Sequence, residues 1–318
     1  MHSVRNYTNK IKSQREQIFN GVHIPVLQKE VLEFLEPKPN ENFIDCTIDG
    51  GGHALAILEK IKPDGKILGI DLDEKVTGYL KSKDNLILVC DNYVNLKEIV
   101  ANLRLVSRRE KKYQFGPVSG ILFDLGMSSW HLEESGRGFT FLKDEPLDMR
   151  YSTEFSIFNF QFSNGLTAEK IVNEYPQEEI ERILREYGEE RFAKGLARKI
   201  VQARPIKTTF QLLKIIKSSR IYFPNRVFQA LRIAVNDELN NLKKVLPQAV
   251  EILESGGRIV IISFHSLEDR IVKKFFKEEF QKGAIKILTK KPITPFQKEI
   301  KINPRSSSAK LRAAMKNA

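Results

Sequence analysis

The chain has 318 residues, enough to bury a substantial core in one large domain or two smaller ones. Its 52 basic against 40 acidic side chains leave a formal charge of +12, more than an enzyme of neutral metabolites needs. A polyanion, nucleic acid first, is the expected partner, with a Lys-rich proteome as the competing explanation. Two cysteines, Cys46 and Cys90, without C-x-x-C spacing exclude a disulfide scaffold and a thiolate metal site, and fit a reducing compartment. No stretch reaches the roughly 20 apolar residues of a membrane helix, and residues 1–20 are too polar for a signal peptide, so a cytoplasmic protein is expected.

Residues 1–20 form a basic arm. The stretch HIPVLQKEVLEFLEPKP predicts a helix with Val26, Leu27, Val31, Leu32 and Leu35 on its apolar face, stopped by prolines. FIDC is a short strand ending near Asp45, DGGG a turn suited to glycine, and HALAILEKI a helix. KILGID follows as a second strand and ends on Asp71, where a doubly wound sheet holds a ribose by its hydroxyls. DGGGH lacks the G-x-G-x-x-G register that seats a pyrophosphate on a helix N-terminus. Asp45 and Asp49 make the loop negative, which repels phosphate and suits a cation. A sulfonium nucleoside, S-adenosylmethionine, meets both conditions, whereas the glycine loop by itself is equally compatible with plain turn chemistry.

A Lys-containing helix leads to the third strand, NLILVC, and then Asp91, Asn92 and Tyr93. Tyr93 is placed to stack on an adenine or to join the core. After another charged helix, ILFD is the fourth strand and Asp124 ends it in the crevice. This alternation predicts an α/β fold with a mostly parallel, doubly wound sheet and crossover helices. From about Gly136 to Asn225 strand signals vanish and TAEKIVNEY, EEIERILREYGEERFAKGLARKIVQAR and FQLLKIIKSS carry helical periodicity. An inserted all-helical domain at 136–223 is expected between sheet-domain segments 21–135 and 224–318. The second segment opens with one long amphipathic helix, RVFQALRIAVNDELNNLKKVLPQAVEILES, followed by the strand GGRIVIISF.

HSLEDRIVKKFFKEE is then a helix that Ser266 caps with Asp269 as partner, leaving Glu268, Asp269 and Arg270 as a solvated first turn. His265 follows a strand end and is placed to face substrate. The Ser, His and acid string there does not make a hydrolase, because no G-x-S-x-G elbow is present. The tail from Gly283 sets nine basic residues against Glu299 and suits either phosphate contacts or solvent.

Methyl transfer from a sulfonium to an amine needs neither metal nor covalent intermediate, only a lone pair aligned with the methyl carbon. A carboxylate accepting the amine hydrogen localises charge on nitrogen as the bond forms. Asp124 stands where such an acceptor belongs, and it is equally placed to hold the cofactor. Methylation at a pyrimidine ring carbon calls for a cysteine near this strand end, and neither Cys46 nor Cys90 is expected there. In RGFTF and PLDMR, Arg137, Phe139, Asp148 and Arg150 are expected to hold a flipped base or its phosphates.

HIPVL, DGGGH, DLGMSS, RGFTF, PLDMR, YGEERFAK, FQALRIAVNDEL, GGRIVIISFHSLEDRIVK and NPRSSSAKLRAA, in this order, resemble the bacterial small-subunit ribosomal RNA cytosine methyltransferases of the MraW or RsmH type. The resemblance implies a Rossmann-like class I methyltransferase with a helical insert, acting with S-adenosylmethionine on the N4 amine of a cytidine at the decoding centre. Its cofactor contacts fall on Gly51, Gly52, His53, Asp71, Tyr93, Asp124 and His131. Tyr93 replaces the usual phenylalanine, and SSWHL the usual SSPQL, so His131 stands where glutamine supplies an amide. Ser128, Ser129 and His265 join the expected substrate side, and no metal is implied. Free RNA and the assembled small subunit remain alternative substrates, and monomer and homodimer alternative states. The competing classes are an RNA-binding assembly factor that keeps the fold without catalysis, and a nicotinamide oxidoreductase that the missing dinucleotide spacing disfavours.

Overall fold

A computed structural model describes residues 25–73, 85–107, 115–152, 165–219, 221 and 223–318. The basic arm at 1–20 and most of the expected helix after Asp71 lie outside the described residues. Seven strands form one sheet: β1 (Asn42–Asp45), β2 (Ile67–Asp71), β3 (Leu86–Cys90), β4 (Val118–Asp124), β5 (Leu253–Ser263), β6 (Ile285–Ile287) and β7 (Lys310–Lys316). Their order is β3-β2-β1-β4-β5-β7-β6, parallel from β3 to β5, with β7 antiparallel to both β5 and β6. The chain winds outward from β1 to β3 and returns to place β4 on the other side of β1. That reversal opens a crevice at the strand carboxyl ends, where doubly wound sheets bind ligands.

Strand residues alternate between two buried faces, which is why the strands read as nearly unbroken apolar runs. Ile44, Ile121, Phe123 and Ile261 face α3 (Leu96–Ser107), α10 (Glu238–Ile252) and α11 (Ser266–Gln281). Phe43, Ile67, Leu122 and Val260 face α1 (Gln28–Leu35) and α2 (Gly52–Ile61). Gly120 permits this second layer to close, since a Cβ there would run into the Phe43 ring and Leu35. The expected first helix is shorter than its apolar pattern: Val26 and Leu27 are buried ahead of it, and Leu27 sits at φ 54°.

A separate helical core gathers α5 (Ala168–Glu174), α6 (Gln177–Gly188), α7 (Ala193–Gln202), α8 (Thr209–Ser218) and α9 (Pro224–Asn236), together with Phe139, Leu147 and Met149. Local caps start two of these helices, Thr167 accepting from the Lys170 amide and Thr208 forming a reciprocal box with Gln211. The long helix expected across RVFQ to ILES is instead two, because Asp237 adopts φ 50° between α9 and α10. α9 therefore turns its Val227, Phe228, Ala230 and Leu231 into the helical core, while α10 packs on the sheet.

The basic tail is also structured. It supplies β6, the short helix α12 (Gln297–Ile302), a 3-10 turn at Pro304–Ser308, and β7, whose Leu311, Ala313 and Ala314 are fully buried. Arg312 is buried and paired with Asp269, whereas Lys286, Lys290, Lys291, Lys298, Lys301 and Arg305 remain exposed. The expected cap of α11 moves by one residue: His265, not Ser266, is the cap and Glu268 its partner.

Candidate active site

The crevice at the β1/β4 reversal is an open cleft. One wall follows directly from strand ends. Cys46, Thr47 and Asp49 continue β1, Asp71 and Leu72 end β2, and Asn92 and Tyr93 follow β3. In the DGGG turn, only two backbones are left-handed, Asp49 at φ 42° and Gly51 at φ 75°. Aspartate tolerates that conformation, so the turn relies on glycine less than its composition suggests. The Asp71 carboxylate accepts from the Asp49 amide at 3.1 Å and the Asp73 amide at 2.9 Å, which fixes it at the cleft edge. Burial pushes Asp71 up to about 7, with the Asp73 and Asp49 amides opposing and their carboxylates adding to the rise.

At the floor, the Asp124 amide donates to Thr47 Oγ1 at 2.6 Å and joins the β1 and β4 ends. Its carboxylate lies 3.6 Å from His53 Nε2, and its Oδ1 is buried without a hydrogen-bond partner among the described residues. Burial also raises Asp45 to about 7, opposed by the nearby His53. Gly51, Gly52 and His53 do not line the cleft, whereas Asp71, Tyr93, Asp124, Ser128 and His131 do. Tyr93 packs edge-on against Phe123 at 5.9 Å.

Ser128 caps the short helix α4 (Ser129–Glu133) in a reciprocal box with His131. The Ser128 amide donates to His131 Nδ1, so the ring proton belongs on Nε2, which faces Asp73 at 3.5 Å. Of Ser129 the backbone alone is described. Arg137 is committed inward: it donates to the carbonyls of Arg150 and Tyr151, pairs with Asp73, and lies 4.9 Å above the Trp130 ring. Phe139 is buried between His131 and Tyr151, and Arg150 forms a two-point pair with Asp148. None of Arg137, Phe139, Asp148 and Arg150 lines the cleft. They brace the segment that does.

The opposite wall adds residues beyond the expected site, Glu268 among them in place of a solvated first turn. Tyr151, Asn236, Glu238, Asn241, Phe264, Glu268, Asn303 and Arg305 line it. Arg232 grips Glu238 with two hydrogen bonds, 2.8 and 2.9 Å, and the Tyr151 hydroxyl adds a third at 3.1 Å. Glu268 is buried rather than solvated, accepting from the Phe264 amide at 2.8 Å and facing His265 Nε2 at 3.1 Å. Burial favours its neutral form, but His265, Arg232 and the Phe264 amide outweigh burial and hold it below the ordinary carboxylate range. His265 itself stays behind the wall. Ligand atoms of Glu238, His265 and Glu268 come within 4.8 Å of one another, yet Arg232 already occupies both Glu238 oxygens. Cys46 corrects another expectation, since it does border the cleft. It is nevertheless a poor nucleophile, because burial and then Asp45 push its thiol well above the ordinary range.

This arrangement, an acid at the end of β2 and, among the described residues, an unpaired carboxylate oxygen at the end of β4 of a doubly wound sheet, agrees with the sequence comparisons. A family model described as the MraW methylase family matches residues 20–317. The chain belongs to the MraW methylase family. A relative from Heliobacterium mobile, "Ribosomal RNA small subunit methyltransferase H", is 43% identical over 325 residues, covering 92% of this chain and 98% of its own length. One of the same name from Thermotoga neapolitana is 44% identical over 307 residues, covering 93% and 96%. A crystallised rRNA methylase from Streptococcus thermophilus aligns with 93% of this chain and 99% of its own at 11% identity and a TM-score of 0.42. As a MraW methylase the protein uses S-adenosylmethionine. The residues fit that cofactor: Asp71 retains lone pairs for two ribose hydroxyls, Tyr93 and Asn92 flank the next strand end, and Asp49 and Asp124 suit a sulfonium.

Proposed function

We propose that this methyltransferase modifies the N4 amine of a cytidine in small-subunit ribosomal RNA, at the decoding centre, in the cytoplasm. The observation carrying this reading is the Asp124 carboxylate on the cleft floor, whose buried Oδ1 has no hydrogen-bond partner among the described residues, between the Asp71 wall and the Glu238–Glu268 wall. An exocyclic amine brings two N–H donors and a lone pair weakened by conjugation. Asp124 accepts one of those hydrogens and draws electron density onto nitrogen, while the walls exclude water and set the angle of approach. The cofactor supplies an electrophilic methyl group. Sulfur would keep the electron pair of its bond to that methyl carbon, and the amine proton passes to Asp124 and then to solvent. A buried thiol with a raised pKa offers no comparable route to ring-carbon methylation.

Residues 136–223 act in this reading as a helical insert that, with the exposed tail lysines, grips the RNA backbone. Arg191, Lys194, Arg198, Lys214 and Lys217 are among the exposed cations of its described helices and their approaches. Incubating the purified protein with labelled cofactor and small subunits lacking the modification, then digesting the RNA for mass spectrometry, tests the proposal. N4-methylcytidine is expected. Label confined to protein, or to another nucleoside, would refute it.

A further inference from the structure

Asn303 lies in the NPRSSS turn, which the mechanism above does not use. We infer that its side-chain amide grips the acceptor cytosine along the N3/N4 edge; this rests on the cytidine reading. The turn lies beyond the carboxyl end of β5, since β7 begins with Lys310 paired to Ser263. Three strand steps, roughly 14 Å, separate β2 from β5, so the turn belongs to the β5 side of the cleft, away from the strand end that carries Asp71. That is the acceptor end of the cleft.

The turn is fixed through its backbone. The Asn303 amide donates to the Glu299 carbonyl at 2.7 Å, and its own carbonyl accepts from the Ser306 amide at 3.0 Å and the Ser306 hydroxyl at 2.7 Å. Two flanking contacts hold it in place: Glu299 accepts from the Leu27 amide at 2.8 Å, and Arg305 pairs with Glu133 at 2.6 Å. Asn303 occupies the cap position of the 3-10 turn, yet its side chain makes no capping bond. An asparagine at such a position ordinarily spends its carbonyl there. Here the residue is only 9% exposed, lines the cleft, and its side-chain amide forms no hydrogen bond among the described residues.

A carboxamide offers one acceptor beside one donor, the complement of cytosine, whose N3 accepts beside an N4 hydrogen that donates. Bound this way, Asn303 takes the N4 hydrogen next to N3 and leaves the other for Asp124. The amine is then held from two sides, with its lone pair free to meet the methyl carbon.

The test compares the parent protein with Asn303→Ala and Asn303→Asp. Cofactor affinity is measured by titration calorimetry, kcat/KM on unmodified small subunits by label transfer, and the product by mass spectrometry. Both variants are expected to bind cofactor within about twofold of the parent while kcat/KM falls roughly 10- to 100-fold, the worth of a two-point base contact. Asn303→Asp keeps the shape but loses the donor, so it decides the matter even if Asn303→Ala fails to fold. A parental rate for Asn303→Asp, or cofactor affinity falling in step with the rate, overturns the assignment. If the parent itself makes no N4-methylcytidine, the functional reading falls along with it; if the parent does and the variants match it, Asn303 alone is wrong.

Discussion

The two walls of the cleft were built in different ways. The cofactor wall comes from one continuous stretch of chain, Cys46 to Tyr93, in which each strand delivers its last residues to the same edge. The acceptor wall draws Tyr151, Glu238, Glu268 and Asn303 from four distant segments, and holds them with buried pairs that cross between the helical core and the sheet. A parallel strand positions its terminal side chain by topology alone. A wall without strands has to be held by specific side-chain partners, which makes it more sensitive to single substitutions.

Breaking the cofactor wall gives the largest effect. If Asp71 holds the ribose as proposed, Asp71→Ala removes the acceptor of two hydroxyls, and charge-assisted hydrogen bonds contribute roughly 1.5–3 kcal/mol each. Cofactor affinity measured by calorimetry is expected to fall about 100-fold or more, with RNA affinity by filter binding unchanged. Loss of both would show that the walls are not separable.

On the acceptor side, Arg232→Met leaves Glu238 buried with one neutral partner. Breaking a buried pair in this way costs roughly 3–5 kcal/mol, to be read as a drop in denaturation midpoint. Removing both charges with Arg232→Met and Glu238→Leu is expected to restore most of the stability and none of the methyl transfer, whereas a structural role alone would restore both.

The third effect is smaller and depends on pH. Asp71 and Asp45 are raised to about 7, against about 3.9 for an unfolded aspartate. Between those values the folded protein holds protons that the unfolded chain has shed, so these two groups make the unliganded protein less stable as pH rises from about 4 to 7. A cation and hydroxyl donors favour the ionised carboxylate. Cofactor binding should therefore release protons and weaken by up to about tenfold per pH unit, per proton released, below pH 7. Calorimetry in buffers of different ionisation enthalpy measures that release, and a flat profile from pH 6 to 8 would contradict it.

The contrast between the walls also explains what could be read beforehand. Asp71, Tyr93 and Asp124 were legible because an apolar run of strand length ends on Asp71 and on Asp124 and just before Tyr93, and the sheet sends all such ends to one crevice. Glu238 was hidden inside a pattern that looked like one helix, since nothing in NDEL announces that Asp237 turns left-handed. Glu268 passed for a solvated acid because its neighbours are charged, although the His265 cap turns it inward. Asn303 was lost in a tail whose basic residues suited either phosphate contacts or solvent, while its neighbour segment becomes the buried strand β7.

The amino-acid sequence by itself determined the doubly wound sheet, the crevice positions of Asp71, Tyr93 and Asp124 and, through its motifs, the family, since apolar periodicity, strand-end residues and short motifs are local properties. Which face of α9 and α10 meets which core, where Arg232 finds Glu238, and which tail residue reaches the cleft were decided only in the tertiary structure. Those outcomes depend on burial and on partners more than 80 residues apart in cases such as Tyr151 and Glu238, and no local pattern encodes them.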